Sequence, residues 1–371
     1  MKRYLSLSII RKLPLFVIVS VLFLTAAFFS TASADFSRKD YFTYPDACLP
    51  ALLVFFFITM MILPLFSMNY RYSLARSDLY RQVGFKNNTI RIGEHLSSLI
   101  IVCISFTISF AMLVSILLIK NYTVEGLVAY YLHYEWYIVL YFVSIILGVG
   151  QYFLSYLLVS RSNTFINSLL MLLLGQFFLN FFIYVFVCFG KCSISEGTMF
   201  TQGPSVIGLI SWIPNIFDQL ICSNQLDILD GTDNAYRTMQ LTAIWLSIII
   251  FFLVAALGVV AFILEKDPSS EWAGKPDTPK PYQEIIFHAG FATIGLVIGT
   301  TLIDSTLTLV YSLLYFSTYV IAYYTLYGLL RRNFKLNARQ AAIIFGISGF
   351  AIVFSVAYSI ISFYVRLQYA V

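Results

Sequence analysis

Residues able to do chemistry are sparse in this chain and widely spaced. Its three histidines, His95, His133 and His288, lie far apart, and no two fall within ligand spacing. A metal cage needs several His, Cys or carboxylate ligands converging from short spacings, and a proton relay needs a partner for each His. The histidines therefore read as interfacial or packed residues. Five cysteines stand singly at 48, 103, 188, 192 and 222, without a C-x-x-C pair, which argues against a zinc or redox site. Cys192 and Cys222 either pair in an outside loop or remain free thiols. No G-x-x-x-x-G-K-[ST] loop is present to cradle phosphates, so any nucleotide must be handled by a partner.

Two further spacings carry weak signals. Gly295 and Gly299 form a G-x-x-x-G, which lets two helices approach closely, either inside the chain or at a dimer seam. The N-x-T triplets at Asn87 and Asn121 are short enough to arise by chance.

The elements that must position these residues are set by composition. Of 371 residues, 60% are apolar and 11% charged, with 35 Phe and 26 Tyr, which excludes soluble, disordered and disulfide-scaffold classes. The expectation is an all-α polytopic membrane protein. A helix crosses about 30 Å of hydrocarbon in about 20 residues, and nine runs of that kind occur, near 13–34, 47–68, 97–119, 136–159, 164–189, 240–264, 285–303, 306–330 and 341–365. The stretch 285–330 is too long for one crossing and must fold back at Asp304, because a charge at the bilayer centre costs at least about 2.5–3.5 kcal/mol. Across these runs His288 is the one residue of the kind that membrane catalysis or ion coupling uses, so an enzyme and an ion-coupled carrier are both disfavoured.

Orientation follows from Lys and Arg, since 17 of the 23 fall in 1–12, 69–96, 160–163, 265–284 and 331–340. The positive-inside rule then places the N-terminus in the cytoplasm and the C-terminus outside. Met1-Lys2-Arg3, an apolar run and Ala32-Ser33-Ala34 mimic a cleavable signal. The run is longer than a usual signal core, and 1–12 reads as an interfacial helix leading into a retained span.

The resulting organisation is a cytoplasmic helix at 1–12, a core of six spans over 13–264, a Pro-rich cytoplasmic connector at 265–284, and three more spans over 285–371. Inside the core, loop 69–96 is cytoplasmic, with a short amphipathic helix expected from Tyr72 to Tyr80 and breaks at Gly84 and Asn87-Asn88. Loop 190–239 is outside. Its apolar middle, with Trp212 and Pro214, suggests two short helices dipping into the outer leaflet, Pro214 breaking them.

In this arrangement the chain resembles the ABC-2-type permeases, the membrane subunits of ABC exporters. That family has an interfacial helix before span one, a coupling helix between spans two and three, and re-entrant outer helices between spans five and six. Here those places fall to 1–12, 69–96 and 190–239. Gram-positive members commonly carry D-x-Y-x-S-L-P-I-K-R after span two. Asp78-Leu79-Tyr80-Arg81-Gln82-Val83-Gly84-Phe85-Lys86-Asn87 is similar, with Gly84 where proline is usual and Asn87 where a basic residue is. The Ytr-like permeases have a segment like R-P-S-E-x-A-G after span six, which Asp267-Pro268-Ser269-Ser270-Glu271-Trp272-Ala273-Gly274 resembles with an inserted serine. Their basic linker before the last helix looks like Leu329-Leu330-Arg331-Arg332-Asn333-Phe334-Lys335.

The resemblance implies a transport subunit of the bacterial cell membrane, not an enzyme. ATP and Mg would sit on a partner ABC ATPase, with no cofactor on this chain, a second permease subunit beside it, and no nucleic acid involved. ATPase coupling would fall to Arg76, Asp78, Tyr80, Arg81, Gly84, Phe85 and Lys86. Pro268, Ser270, Glu271 and Gly274 would make a second cytoplasmic contact, and Trp212 and Pro214 would form the outer re-entrant segment. An amphipathic or hydrophobic cargo such as a peptide, antibiotic or lipid is expected. The alternatives are an ion-coupled carrier or polytopic enzyme, or a membrane immunity or sensor protein.

Overall fold

A computed structural model describes residues 2–33, 48–72, 87–123, 134–160, 162, 164–176, 281–304, 309–331 and 333–369, with isolated helical positions between 245 and 263. Every regular element among them is helical. In chain order these are α1 (Lys2–Arg11), α2 (Leu13–Ser33), α3 (Cys48–Ser67), α4 (Asn87–Thr123) and α5 (Tyr134–Val159), then α6 (Phe165–Gln176), and α7 (Pro281–Asp304), α8 (Leu309–Arg331) and α9 (Ala338–Tyr369). The stretches 69–96 and 331–340 are partly described, whereas the coupling residues from Arg76 to Lys86, the connector residues Pro268, Ser270, Glu271 and Gly274, the outer Trp212 and Pro214, and Cys192 and Cys222 all lie outside the described residues.

Among the described residues three helices are long and apolar enough to cross a membrane, Asn88–Ile116, Tyr137–Val159 and Ala338–Ala357. A fourth is added if the bent pair α1 and α2 forms one span. Their outward faces are apolar: Val17, Ile18, Val21 and Leu22 on α2, and Phe345, Phe350 and Val353 on α9, are exposed. Such surfaces suit lipid rather than water, so the chain is an all-α protein with the character of a membrane protein.

Local chemistry explains the breaks. The α1 and α2 axes differ by 55°, and the cause is Pro14, which has no N–H to offer the Ile10 carbonyl one turn back and whose ring crowds it. Lys12, at the corner, keeps its own N–H on the Ser8 and Ile9 carbonyls, both at 3.1 Å. At the other end of the core, α4 runs 37 residues from Asn87. The helix starts ten residues before the apolar run that marks it in the sequence, and Asn87 opens it instead of breaking a helix.

The chain divides into two compact units, one of 1–160 with 209–273 and the other of 161–208 with 274–371. In the first, α2, α3, α4 and α5 pack around an aromatic centre. Phe56 stacks on Phe106 with ring centroids 4.0 Å apart, and Phe23 meets both edge-on. Gly148 on α5 leaves the room that the Phe56 ring fills, since a Cβ there would collide with it.

In the second unit α7 and α8 form an antiparallel hairpin, as the descending series of partners shows. The Tyr327 hydroxyl donates to Glu284 at 3.2 Å, His288 Nδ1 bonds the Tyr323 hydroxyl at 2.6 Å, the Tyr319 hydroxyl donates to the Phe291 carbonyl at 2.6 Å, and the Tyr315 hydroxyl donates to the Gly295 carbonyl at 2.8 Å. The chain thus folds back after Asp304, where α7 ends. Four tyrosines spaced by four residues share one face of α8, and each places its hydroxyl on α7. Gly295 and Gly299 face Tyr319, Ala351 and Ser355, so the G-x-x-x-G serves packing of α7 against α8 and α9 within the chain. α6 joins this unit because Gly290 lets the α6 backbone at Leu174 come into direct contact.

Candidate functional site

The densest polar site among the described residues lies where α1 meets the first turns of α4. On α1, Tyr4 and Ser8 are one turn apart and both buried, whereas Leu7 and Ile10 point out and are exposed. An interfacial helix usually keeps its polar face to water. Here the polar face turns inward because α4 supplies partners for it. Gly93 is what admits the close approach, for a Cβ on it would sit 2.5 Å from the Tyr4 ring.

Glu94 is the centre. Its Oε1 accepts from the Tyr4 hydroxyl at 2.7 Å, the Ser8 hydroxyl at 3.1 Å and the Arg11 guanidinium at 2.6 Å. Its Oε2 pairs with the Lys12 ammonium at 2.9 Å. Lys12 also reaches the Glu94 carbonyl at 2.7 Å, Ser97 at 3.0 Å and Ser98 at 2.6 Å, so three N–H bonds are shared among four oxygens. The Glu94 side chain is 3% exposed and that of Lys12 11%, while that of Arg11 is 48% exposed. The first pair is a buried ion pair whose desolvation cost offsets much of its attraction, and the second is screened and worth about 1 kcal/mol or less. What the pair adds is position, because this one geometry satisfies many buried polar groups at once.

The same turns of α4 hold the neighbouring helices. Ser67, at the end of α3, donates to the Leu63 carbonyl at 3.0 Å and to the Ser98 hydroxyl at 3.1 Å. His95 is hydrogen-bonded through Nδ1 to the Tyr152 hydroxyl on α5, and its ring lies 4.8 Å from that of Tyr156. Higher up, Ser20 of α2 and Ser105 of α4 share a hydrogen bond at 2.9 Å. Three helices, α1, α3 and α5, therefore converge on residues 93–98 of α4, and both carboxylate oxygens of Glu94 are engaged by Tyr4, Ser8, Arg11 and Lys12. The arrangement is a mechanical joint.

No residue of this joint appears among the sequence candidates, and Lys12 and Arg11 read there only as orientation signals. A signal did exist. Tyr4, Ser8, Arg11 and Lys12 recur at three- and four-residue spacing on one face of α1. Their partner lies 82 to 90 residues away, so only the pairing of two distant polar faces could have shown it. Of the histidines, His95 and His288 are both packed against tyrosines, and His133 lies outside the described residues. Among the described residues no group of three or more His, Cys, Asp or Glu could hold a metal ion. The chain matches no protein-family model, no curated protein and no solved structure.

Proposed function

We propose that this chain is the membrane-spanning permease subunit of an ABC transporter of the ABC-2 type, an exporter of an amphipathic or hydrophobic substrate. The supporting observation is the Glu94 joint. It ties α1 to α4 immediately after the stretch 76–86, the part of the chain that the family resemblance assigns to ATPase coupling. A displacement delivered at Lys86 enters α4 at its first turn. α4 is one helix of 37 residues, about 55 Å at 1.5 Å per residue, so it carries the movement across a bilayer. Through Glu94 it draws α1 along, and through Ser98 and His95 it engages α3 and α5.

In this reading ATP and Mg are bound by a separate ATPase pair, a second permease subunit completes the pathway, and Arg76, Asp78, Tyr80, Arg81, Gly84, Phe85 and Lys86 meet the ATPase. Pro268, Ser270, Glu271 and Gly274 make a second cytoplasmic contact, and Trp212 and Pro214 belong to the outer re-entrant segment. The chain spans a bacterial cell membrane nine times, six spans forming the core, with its N-terminus inside. The engagement of every Glu94 oxygen weighs against an ion-coupled carrier, which needs an acid free to exchange its partner.

The test is whether an ABC ATPase is encoded beside this chain, followed by co-expression of the two. Co-purification and substrate-stimulated ATPase activity are expected, and Tyr80→Ala, Phe85→Ala and Arg81→Glu should uncouple the complex, while Asp230→Ala should not. Four variants that all behave like the parent, or ATP hydrolysis by the purified chain alone, would refute the reading.

A further inference from the structure

The turn between α8 and α9 is built more firmly than an orientation signal requires. The Asn333 N–H bonds the Gly328 carbonyl at 3.1 Å, closing the end of α8. The Tyr324 hydroxyl donates to the Phe334 carbonyl at 2.7 Å, and the Lys335 N–H to Asn333 Oδ1 at 2.9 Å. Asn337 then opens α9, its N–H on Gln340 Oε1 at 3.0 Å and its carbonyl taking the Gln340 N–H at 2.9 Å. Leu336 packs inward on the core of this unit.

The turn is cationic, and among its described cations Arg331 alone has a carboxylate beside it. Arg331 lies 4.0 Å from Glu284 and over the Tyr327 ring. Lys335 and Arg339 are exposed and have no ion pair among the described residues. No Asp or Glu occurs anywhere from 305 to 371. Directly beside these cations the surface turns apolar. Phe334, next to Lys335, is 50% exposed, and on α9 Phe350 is 49% and Val353 68% exposed. Phe350 lies eleven residues beyond Arg339, three turns on along the same face and about 16 Å along α9. A cationic rim above an apolar helix face is the pattern at the depth of phospholipid headgroups.

We propose that Lys335 and Arg339 bind the phosphate of an anionic phospholipid, whose acyl chains lie along Phe350 and Val353. The apolar face below the cations is what selects a lipid over a free phosphate. The first turn of α9 adds the positive end of its dipole to the same place. On the orientation read from Lys and Arg this is the inner leaflet. The inference needs the helices to cross a membrane and is independent of the transport function.

The test uses the full chain in neutral detergent, doped with phosphatidylglycerol or phosphatidylcholine, with retained lipid counted by native mass spectrometry and thermal stability followed in parallel. Two exposed cations should favour phosphatidylglycerol on the order of tenfold. Lys335→Ala with Arg339→Ala should reduce the preference severalfold, and Lys335→Arg with Arg339→Lys should preserve it. The proposal is overturned if the parent chain shows no preference, or if the alanine pair keeps it. It is equally overturned if glycerol phosphate protects as well as the lipid, or if the alanine pair loses only ATPase co-purification, which would mark the turn as a protein interface.

Discussion

Replacing Glu94 by Gln tests the joint with the least change of shape. Glutamine still accepts from Tyr4 and Ser8, but the Lys12 ammonium, 11% exposed, loses its counter-charge. Breaking one side of a buried ion pair costs about 3–5 kcal/mol, whereas the half-exposed Arg11 adds about 1 kcal/mol or less. Lys12→Met should cost a similar amount by stranding Glu94. The double replacement Glu94→Gln with Lys12→Met removes both charges together. It leaves the two new amide N–H groups short of acceptors, at about 1 kcal/mol each, so it should lie within about 2 kcal/mol of the parent. The single costs should therefore exceed the double by at least about 3 kcal/mol, an interaction energy that separate surface charges cannot produce. The assay is equilibrium unfolding in mixed micelles for the parent, both singles and the double. Singles within about 0.5 kcal/mol of the parent, the range of ordinary surface changes, would refute the joint, as would a double whose cost equals the sum of the singles.

Glycines give a sharper contrast in the second unit. Gly290→Ala sets a Cβ against the backbone carbonyl of Leu174, which cannot step aside, and should destabilise by about 1–3 kcal/mol in the same assay. Gly346→Ala meets nothing within 4 Å and should stabilise α9 by up to about 1 kcal/mol. Tyr323→Phe removes the hydroxyl held by His288 and should cost about 1 kcal/mol with the helix content by circular dichroism unchanged. For topology, single cysteines at 75, 275 and 335 in a cysteine-free background should resist a membrane-impermeant thiol reagent in intact cells, while one at 230 should react. Labelling at 75 would reverse the orientation.

The sequence makes the helices legible but not their ends. Apolar runs locate α2, α3, α5, α7, α8 and α9 because hydrocarbon length sets a minimum span. They miss the start of α4, since the run begins only after Glu94, His95 and Leu96, while the helix continues back through polar residues that α1 covers. Backbone hydrogen bonds do not stop where hydropathy falls. Asp304 was readable as a place where the chain turns, because a charge there has no partner in a bilayer. Glu94 and Lys12 were not readable as a pair, because each alone is an ordinary residue at the edge of a span. The interior role of Gly295 and Gly299 likewise depended on which helix lay opposite, which the glycine spacing does not specify.

The Glu94 joint also sets an order of events during synthesis. Lys12 and Glu94 are separated by 82 residues, and at about 5–20 residues per second the ribosome needs roughly 4–16 s to make the interval. For that time α1 and the helices after it exist without α4. Lys12 must wait in water or among headgroups as a free cation, where under the N-inside reading it holds the first span in its orientation. Once α4 is made, the same ammonium leaves the aqueous side and becomes an interior group. Under that reading one residue serves first as a topogenic signal and later as a structural contact, so a substitution at Lys12 would combine a defect of insertion with a defect of assembly. Reverting the stability loss with Glu94→Gln would separate the two.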